Sequence, residues 1–249
     1  MTGNVVTVTQ VGPVDPSVAQ IARDVAGRPT HPDPQLRRDR MAAMEIVSGA
    51  ALLVIMAVGG LYFAFRPTAG ALDAWFPNPL AGTKSPWFTE LTKLRYPAVI
   101  VVGAIVAAAL TVRRDRPRAL ACLVGPPLAL LIAELVAKPL VGRTLGGSLS
   151  YPSGSTVGAA ALATAAVLAT PARWRGITAV LGAAYASWMT VAVVSLQWHY
   201  PTDALAGLAL GVGTILLVDG ATWKGYVRRR RLTVGRSARR EVPRSPGVG

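Results

Sequence analysis

The chain is short of charge. Of its 249 residues only 15% are charged and 52% are hydrophobic, with a mean hydropathy of +0.42, whereas soluble globular chains carry about 25% charged residues. So little water-facing surface argues against an ordinary soluble domain. The apolar residues fall in long blocks rather than periodic stripes, as in a membrane protein. Acid is scarcer still, with 12 Asp and Glu against 26 Lys and Arg and a formal net charge of +14. Such an excess would suit nucleic acid. Most of it, however, sits in short clusters between or beyond the apolar blocks, where membrane proteins carry cytoplasmic positive charge, so no nucleic-acid partner is expected. The single cysteine, Cys122, excludes an internal disulfide and reads as a small lipid-buried hydrophobe. The first forty residues also lack the basic start, short apolar stretch and small-residue cleavage site of a secretory signal.

Three regions are expected. Residues 1–43, polar and ending in Arg37-Arg38-Asp39-Arg40, read as a disordered cytoplasmic tail. Residues 44–222 hold the membrane domain. Residues 223–249, with Arg228-Arg229-Arg230-Arg231, read as a second disordered tail, basic and drawn to anionic headgroups.

The fold class is all-α, a polytopic bundle of six transmembrane helices with both termini cytoplasmic. A span needs about 20 apolar residues, and six segments qualify: Glu45–Phe65, Tyr96–Val112, Ala119–Ala137, Ser155–Thr170, Ile177–Trp198 and Thr202–Val218. The fourth and sixth are short and carry Gly154-x3-Gly158 and Gly207-x3-Gly211, spacings that let helix backbones approach closely. Arg113, Arg114, Arg116 and Arg118 separate spans two and three, and Arg173 and Arg175 separate spans four and five. With both basic termini, these mark the cytoplasmic side of the cell membrane. The connections 66–95, 138–154 and 199–201 then face outside. The first includes Pro86–Arg95, an amphipathic segment suited to the headgroup layer or to capping the bundle.

The residues suited to chemistry all fall at that outer surface. In His199-Tyr-Pro-Thr-Asp203, Pro201 suits the first turn of a helix. Asp203, four residues after His199, is in reach of one ring nitrogen, leaving the other as nucleophile or base. Glu134 and Lys138 are spaced to pair along one helix face. Tyr151-Pro152-Ser153-Gly154-Ser155 precedes a helix whose exposed N–H groups would seat a phosphate; a plain N-cap is the other reading.

A lysine near an arginine, then Pro-Ser-Gly opening a helix, then His-x3-Asp opening another resembles the three signature motifs of the type 2 phosphatidic acid phosphatase family. The likeness covers roughly Ala119 to Gly213. It implies a metal-independent phosphomonoesterase or diphosphatase without cofactor, acting on a phosphorylated or diphosphorylated membrane lipid, with the oligomeric state left open. By that resemblance His199 attacks phosphorus, Asp203 orients it, and Lys138, Ser153 and Gly154 bind phosphoryl oxygens, with Ser155 beside them.

Three positions depart from the family pattern. The first motif's arginine is replaced by Leu145, for which Arg143 is expected to substitute. Ser155 stands where the family has the histidine that protonates the leaving oxygen, and Val193 where it has another arginine. General acid catalysis is worth ~10²–10⁴-fold. An alkoxide, whose conjugate acid has a pKa on the order of that of water at ~16, needs it far more than a phosphate with a second pKa near ~6. The expected substrate is therefore a lipid diphosphate, such as an isoprenoid diphosphate. The same departures also suit a member that binds lipid phosphates without turnover, or serves as a subunit of an envelope-assembly complex.

Overall fold

The computed structural model describes residues 33–66, 68–76, 80, 82, 83 and 85–240, with Asp15, Ser17, Val18 and Gln20. The chain divides into two compact units, Met1–Arg38 and Asp39–Gly249. In the first, Asp15 accepts from the Ser17 N–H at 2.8 Å and its hydroxyl at 2.6 Å, closing a short turn. Everything that bears on the site belongs to the second.

Helices make up most of the described structure. They are α1 (Pro34–Ala64), α2 (Ala71–Ala74), α3 (Pro86–Thr92), α4 (Pro97–Thr111), α5 (Arg116–Leu131), α6 (Lys138–Val141), α7 (Gly154–Ala169), α8 (Arg175–Ser195) and α9 (Pro201–Arg240). Prolines open α4 and α9 at positions where a missing N–H costs nothing. Asp115 caps α5 by accepting from the Arg118 N–H at 3.1 Å. Inside α5, Pro126 and Pro127 leave the ladder without their N–H groups, and it widens downstream into a π turn over Ile132–Ala137 before α6.

Among the described residues four helices are long and apolar enough to cross a membrane, or five if Pro86–Arg95 and Pro97–Thr111, bent by 60°, form one span. The chain is thus a multi-pass helical membrane protein. The remaining expected span, α7, has 16 residues, about 24 Å of helix against a hydrocarbon core of ~30 Å. Its environment explains how it manages. Gly154 through Ala161 are all buried among α4, α5, α8 and α9, so α7 is a core helix clad by protein. A Cβ on Gly207 would come within 2.7 Å of the Ser153 carbonyl oxygen, and one on Gly211 within 2.6 Å of that of Val157. Those two glycines let the α9 backbone lie directly on α7, as their spacing suggests. Gly158 faces Ile100 of α4 instead.

Three sequence expectations need correction. Residues 34–43 are helical, because α1 starts at Pro34 rather than at the first apolar block, and residues 223–240 are helical, because α9 runs on to Arg240. Hydropathy marks where lipid ends, whereas Arg, Gln, Met and Ala extend a helix readily into water. The rest of the expected tails, apart from Asp15, Ser17, Val18, Gln20 and Asp33, lies outside the described residues. A small hairpin, Thr144–Leu145 with Ser148–Leu149, also interrupts the all-α pattern. Its turn is Gly146-Gly147, both at positive φ (57° and 82°), as tight hairpins require.

The Pro86–Arg95 segment forms α3 and a 3-10 turn, and its Phe88 ring lies 5.7 Å from that of Trp188 on α8. It serves at least as a cap on the bundle. At the other end of the molecule Arg118, 5% exposed, bonds Asp219 of α9 at 3.1 Å and Glu45 of α1 at 3.5 Å. The Arg114 guanidinium there donates to the Ala169 carbonyl at 3.0 Å.

Candidate active site

Three connections meet at the end of the bundle away from Arg118. Gly142 ends α6 in the left-handed region at φ 65°, a conformation glycine adopts without strain, and turns the chain inward. The next side chain, Arg143, is fully buried. Its Nη1 donates to Asp203 Oδ1 at 2.6 Å and to Thr202 Oγ1 at 2.8 Å, and its Nη2 to Asp73 Oδ2 at 2.5 Å. Its guanidinium is sandwiched between the rings of Phe63 at 3.8 Å and Tyr200 at 4.1 Å. Thr202 completes the knot, its hydroxyl donating to Asp73 Oδ1 at 2.6 Å. Asp73 is held below the ordinary carboxylate range: burial pushes it up, but bonds from Thr202, the Gly70 N–H and Arg143 outweigh that. Arg143 therefore binds carboxylates of its own chain rather than a phosphate, contrary to the expectation that it replaces the family arginine. Asp73, unmarked by any motif, is one residue that was missed. Its one signal was a carboxylate in an otherwise apolar stretch, and such groups are rarely buried unpaired.

His199 lies in the loop between α8 and α9. Its Nδ1 is 2.9 Å from the Ser150 carbonyl oxygen and 4.0 Å from Asp203 Oδ2. A carbonyl only accepts, so Nδ1 carries the proton and Nε2 keeps its lone pair. The orienting partner is thus Ser150, where Asp203 was expected. Asp203 is engaged otherwise: Oδ1 holds Arg143 and Oδ2 accepts from the Tyr200 N–H at 3.0 Å, capping α9 from its first turn. Burial, then the charge of Lys138 and Arg95, push the His199 pKa down from 6.5 to about 4 despite the Ser150 bond. The imidazole is neutral at physiological pH.

The expected phosphate ligands divide into two sets. Lys138, Gly154 and Ser155 line one cavity of about 470 Å³ together with His199, Glu134 and Arg95. Ser153 does not. It is fully buried, its N–H donates to the Asp203 carbonyl at 3.0 Å, and its hydroxyl accepts from Thr156 at 3.0 Å. It ties the start of α7 to α9. The opening N–H groups of α7, without intrahelical partners, lie where Gly154 and Ser155 meet the cavity. Val193 packs in a core with Ala159, Met189 and Ala204. A cation reaches the site from elsewhere: Arg95, at the end of the 3-10 turn, lines the cavity with its guanidinium 4.8 Å from the Trp198 ring centre. From this polar end the cavity continues along Val101 of α4 and Leu130, Leu131 and Leu135 of the α5 region. Leu131 and Leu135 are 53% and 69% exposed, facing outward where lipid would lie. Among the described residues no cluster of His, Cys, Asp and Glu could hold a metal.

A multi-pass helical membrane protein with a neutral histidine, two cations and a helix N-terminus around one cavity is the class these features define. Residues 92–226, more than half of the chain, match the PAP2 superfamily, and the chain belongs to it. The fold is similar to the crystal structure of a transmembrane PAP2-type phosphatidylglycerolphosphate phosphatase from Bacillus subtilis. That match has a TM-score of 0.55 at 21% identity and covers 71% of this chain and 96% of the other. No curated protein matches the chain.

Proposed function

We propose that the protein is a lipid phosphatase that removes phosphate from a lipid phosphate or isoprenoid diphosphate headgroup through a phosphohistidine on His199. The observation that carries this reading is the state of His199. Nδ1 is committed to the Ser150 carbonyl, Nε2 is free, and the ring shares a cavity with Lys138, Arg95 and the start of α7. Phosphoryl transfer draws most of its rate from positioning and from charge around the equatorial oxygens, which those groups supply. Asp203 acts at a distance, holding the loop through Arg143 and Tyr200. The apolar continuation of the cavity suits an acyl or isoprenoid chain, and the B. subtilis neighbour's name specifies a phosphorylated lipid.

The membrane reading follows from charge. Counting the bent pair and α7, the chain crosses six times, both termini and the arginines near Arg118 are cytoplasmic by the positive-inside rule, and the site faces outside the cytoplasmic membrane. Detergent-purified protein incubated with lipid mono- and diphosphates should release phosphate, and His199→Ala should stop it while the variant elutes as a folded species. Phosphate release that survives His199→Ala would refute the reading.

A further inference from the structure

The position where the family carries its proton-donating histidine is Ser155, whose hydroxyl is too weak an acid to protonate an alkoxide in its place. The cavity, however, contains one carboxyl group among the described residues, that of Glu134. It stands in the π turn Ile132–Ala137, one helical turn before Lys138. Both its oxygens lie 2.8 Å from Lys138 Nζ. A Cβ built on Gly154 would collide with Glu134 Oε1, so the carboxyl group rests on the first residue of α7. That is where Lys138 and the helix N-terminus would hold a phosphoryl group. Its side chain is 47% exposed, so solvent and a bound substrate can reach it.

We propose that Glu134 is a catalytic residue, the proton donor to the leaving oxygen and then the base that activates water. The inference rests on the phosphatase reading above. An arriving phosphoryl group takes Lys138 and the α7 N-terminus from the carboxylate. As the phosphoryl group takes over Lys138, Glu134 accepts the proton that the substrate monoanion carries in. His199 Nε2 then forms its bond to phosphorus as the phosphorus–oxygen bond to the lipid breaks. The departing oxygen takes the Glu134 proton, and the Nδ1 proton stays on the ring against the Ser150 carbonyl. In the second half Glu134, now a carboxylate, takes a proton from water as that water's oxygen bonds phosphorus. The nitrogen–phosphorus bond breaks and its electron pair returns to Nε2. Inorganic phosphate leaves, and Glu134 is again protonated. With a donor present, the reason for expecting a diphosphate preference is gone, and lipid monophosphates are substrates too.

The test compares leaving groups. Full-length wild type, Glu134→Gln and Glu134→Gln/Ser155→His are assayed in detergent on phosphatidate and on an isoprenoid diphosphate. Glu134→Gln should lower kcat/KM, which reports formation of the phosphohistidine and not its hydrolysis, on phosphatidate by about 10²-fold or more and on the diphosphate by less than about tenfold, because phosphate leaves without protonation. Ser155→His in that background should restore phosphatidate turnover. The ratio of the two rates within one preparation does not depend on how much protein is folded. Equal losses on both substrates, or none, would overturn the role of Glu134 alone. A gain in turnover would do the same and mark the carboxylate as an obstruction in the phosphate seat. Wild type inert on both substrates would overturn the phosphatase reading and this inference with it.

Discussion

At one end of the bundle Arg118 is held by Asp219 of α9 at 3.1 Å and by Glu45 of α1 at 3.5 Å. At the other end Arg143 is held by Asp203 of α9 at 2.6 Å and by Asp73 at 2.5 Å. The two arrangements are alike: a buried guanidinium, a carboxylate on α9, and a second carboxylate from a distant part of the chain. Buried charge alone therefore does not separate scaffold from site. What differs is the neighbourhood. Beside Arg143 stand a histidine with one committed nitrogen, a lysine, and a helix start opening on a cavity. The groups that could do chemistry are those left facing the cavity, and the deeply paired ones hold them there.

Removing each arginine breaks or sharpens the comparison. Arg143→Ala leaves Asp203 and Asp73 buried without their partner, which typically costs about 3–5 kcal/mol. It also loosens the loop that carries His199. Thermal unfolding in detergent should show the loss, and phosphate release per folded molecule should fall with it. Arg118→Ala should cost a similar amount of stability but leave turnover per folded molecule intact; a matching loss of activity would mean that the two ends are coupled. The smallest effect expected is one of pH. With the His199 pKa near about 4 rather than 6.5, the nucleophile stays neutral down to that region. The acid limb of kcat/KM should therefore lie well below pH 6.5. Because the unfolded chain takes up that proton first, stability should decline as pH falls from 6.5 toward 4. An acid limb at 6.5 would show that the burial and cations around His199 do not act as described.

The helical membrane bundle was legible in the sequence because lipid demands long apolar blocks, and those blocks can be read without knowing any contact. The ends of α1 and α9 were not, because helix propensity continues where hydropathy stops. Within the site, Lys138, Gly154, Ser155 and His199 line one cavity. Arg143 was read as a direct participant because it lies two residues from a motif position, and Asp203 because it stands in the motif itself, four residues after His199. Their mutual salt bridge joins positions 60 apart in the chain, and no local pattern encodes such a pairing. Asp73 and Arg95 escaped for the same reason, each brought in by a long connection. Glu134 was visible only as half of an ion pair. Its contact with Gly154 depends on how α5 and α7 pack, which spacing along one helix does not reveal.

The most direct measurement is a rapid-quench experiment with a radiolabelled lipid phosphate and detergent-purified protein, stopped in alkali, where phosphohistidine survives, and checked for release in acid. Wild type is expected to carry a base-stable, acid-labile phosphoryl label that maps to His199 and is absent from His199→Ala. Phosphate release by wild type with no such label, or a label that persists in His199→Ala, would contradict the assignment of His199 as the nucleophile.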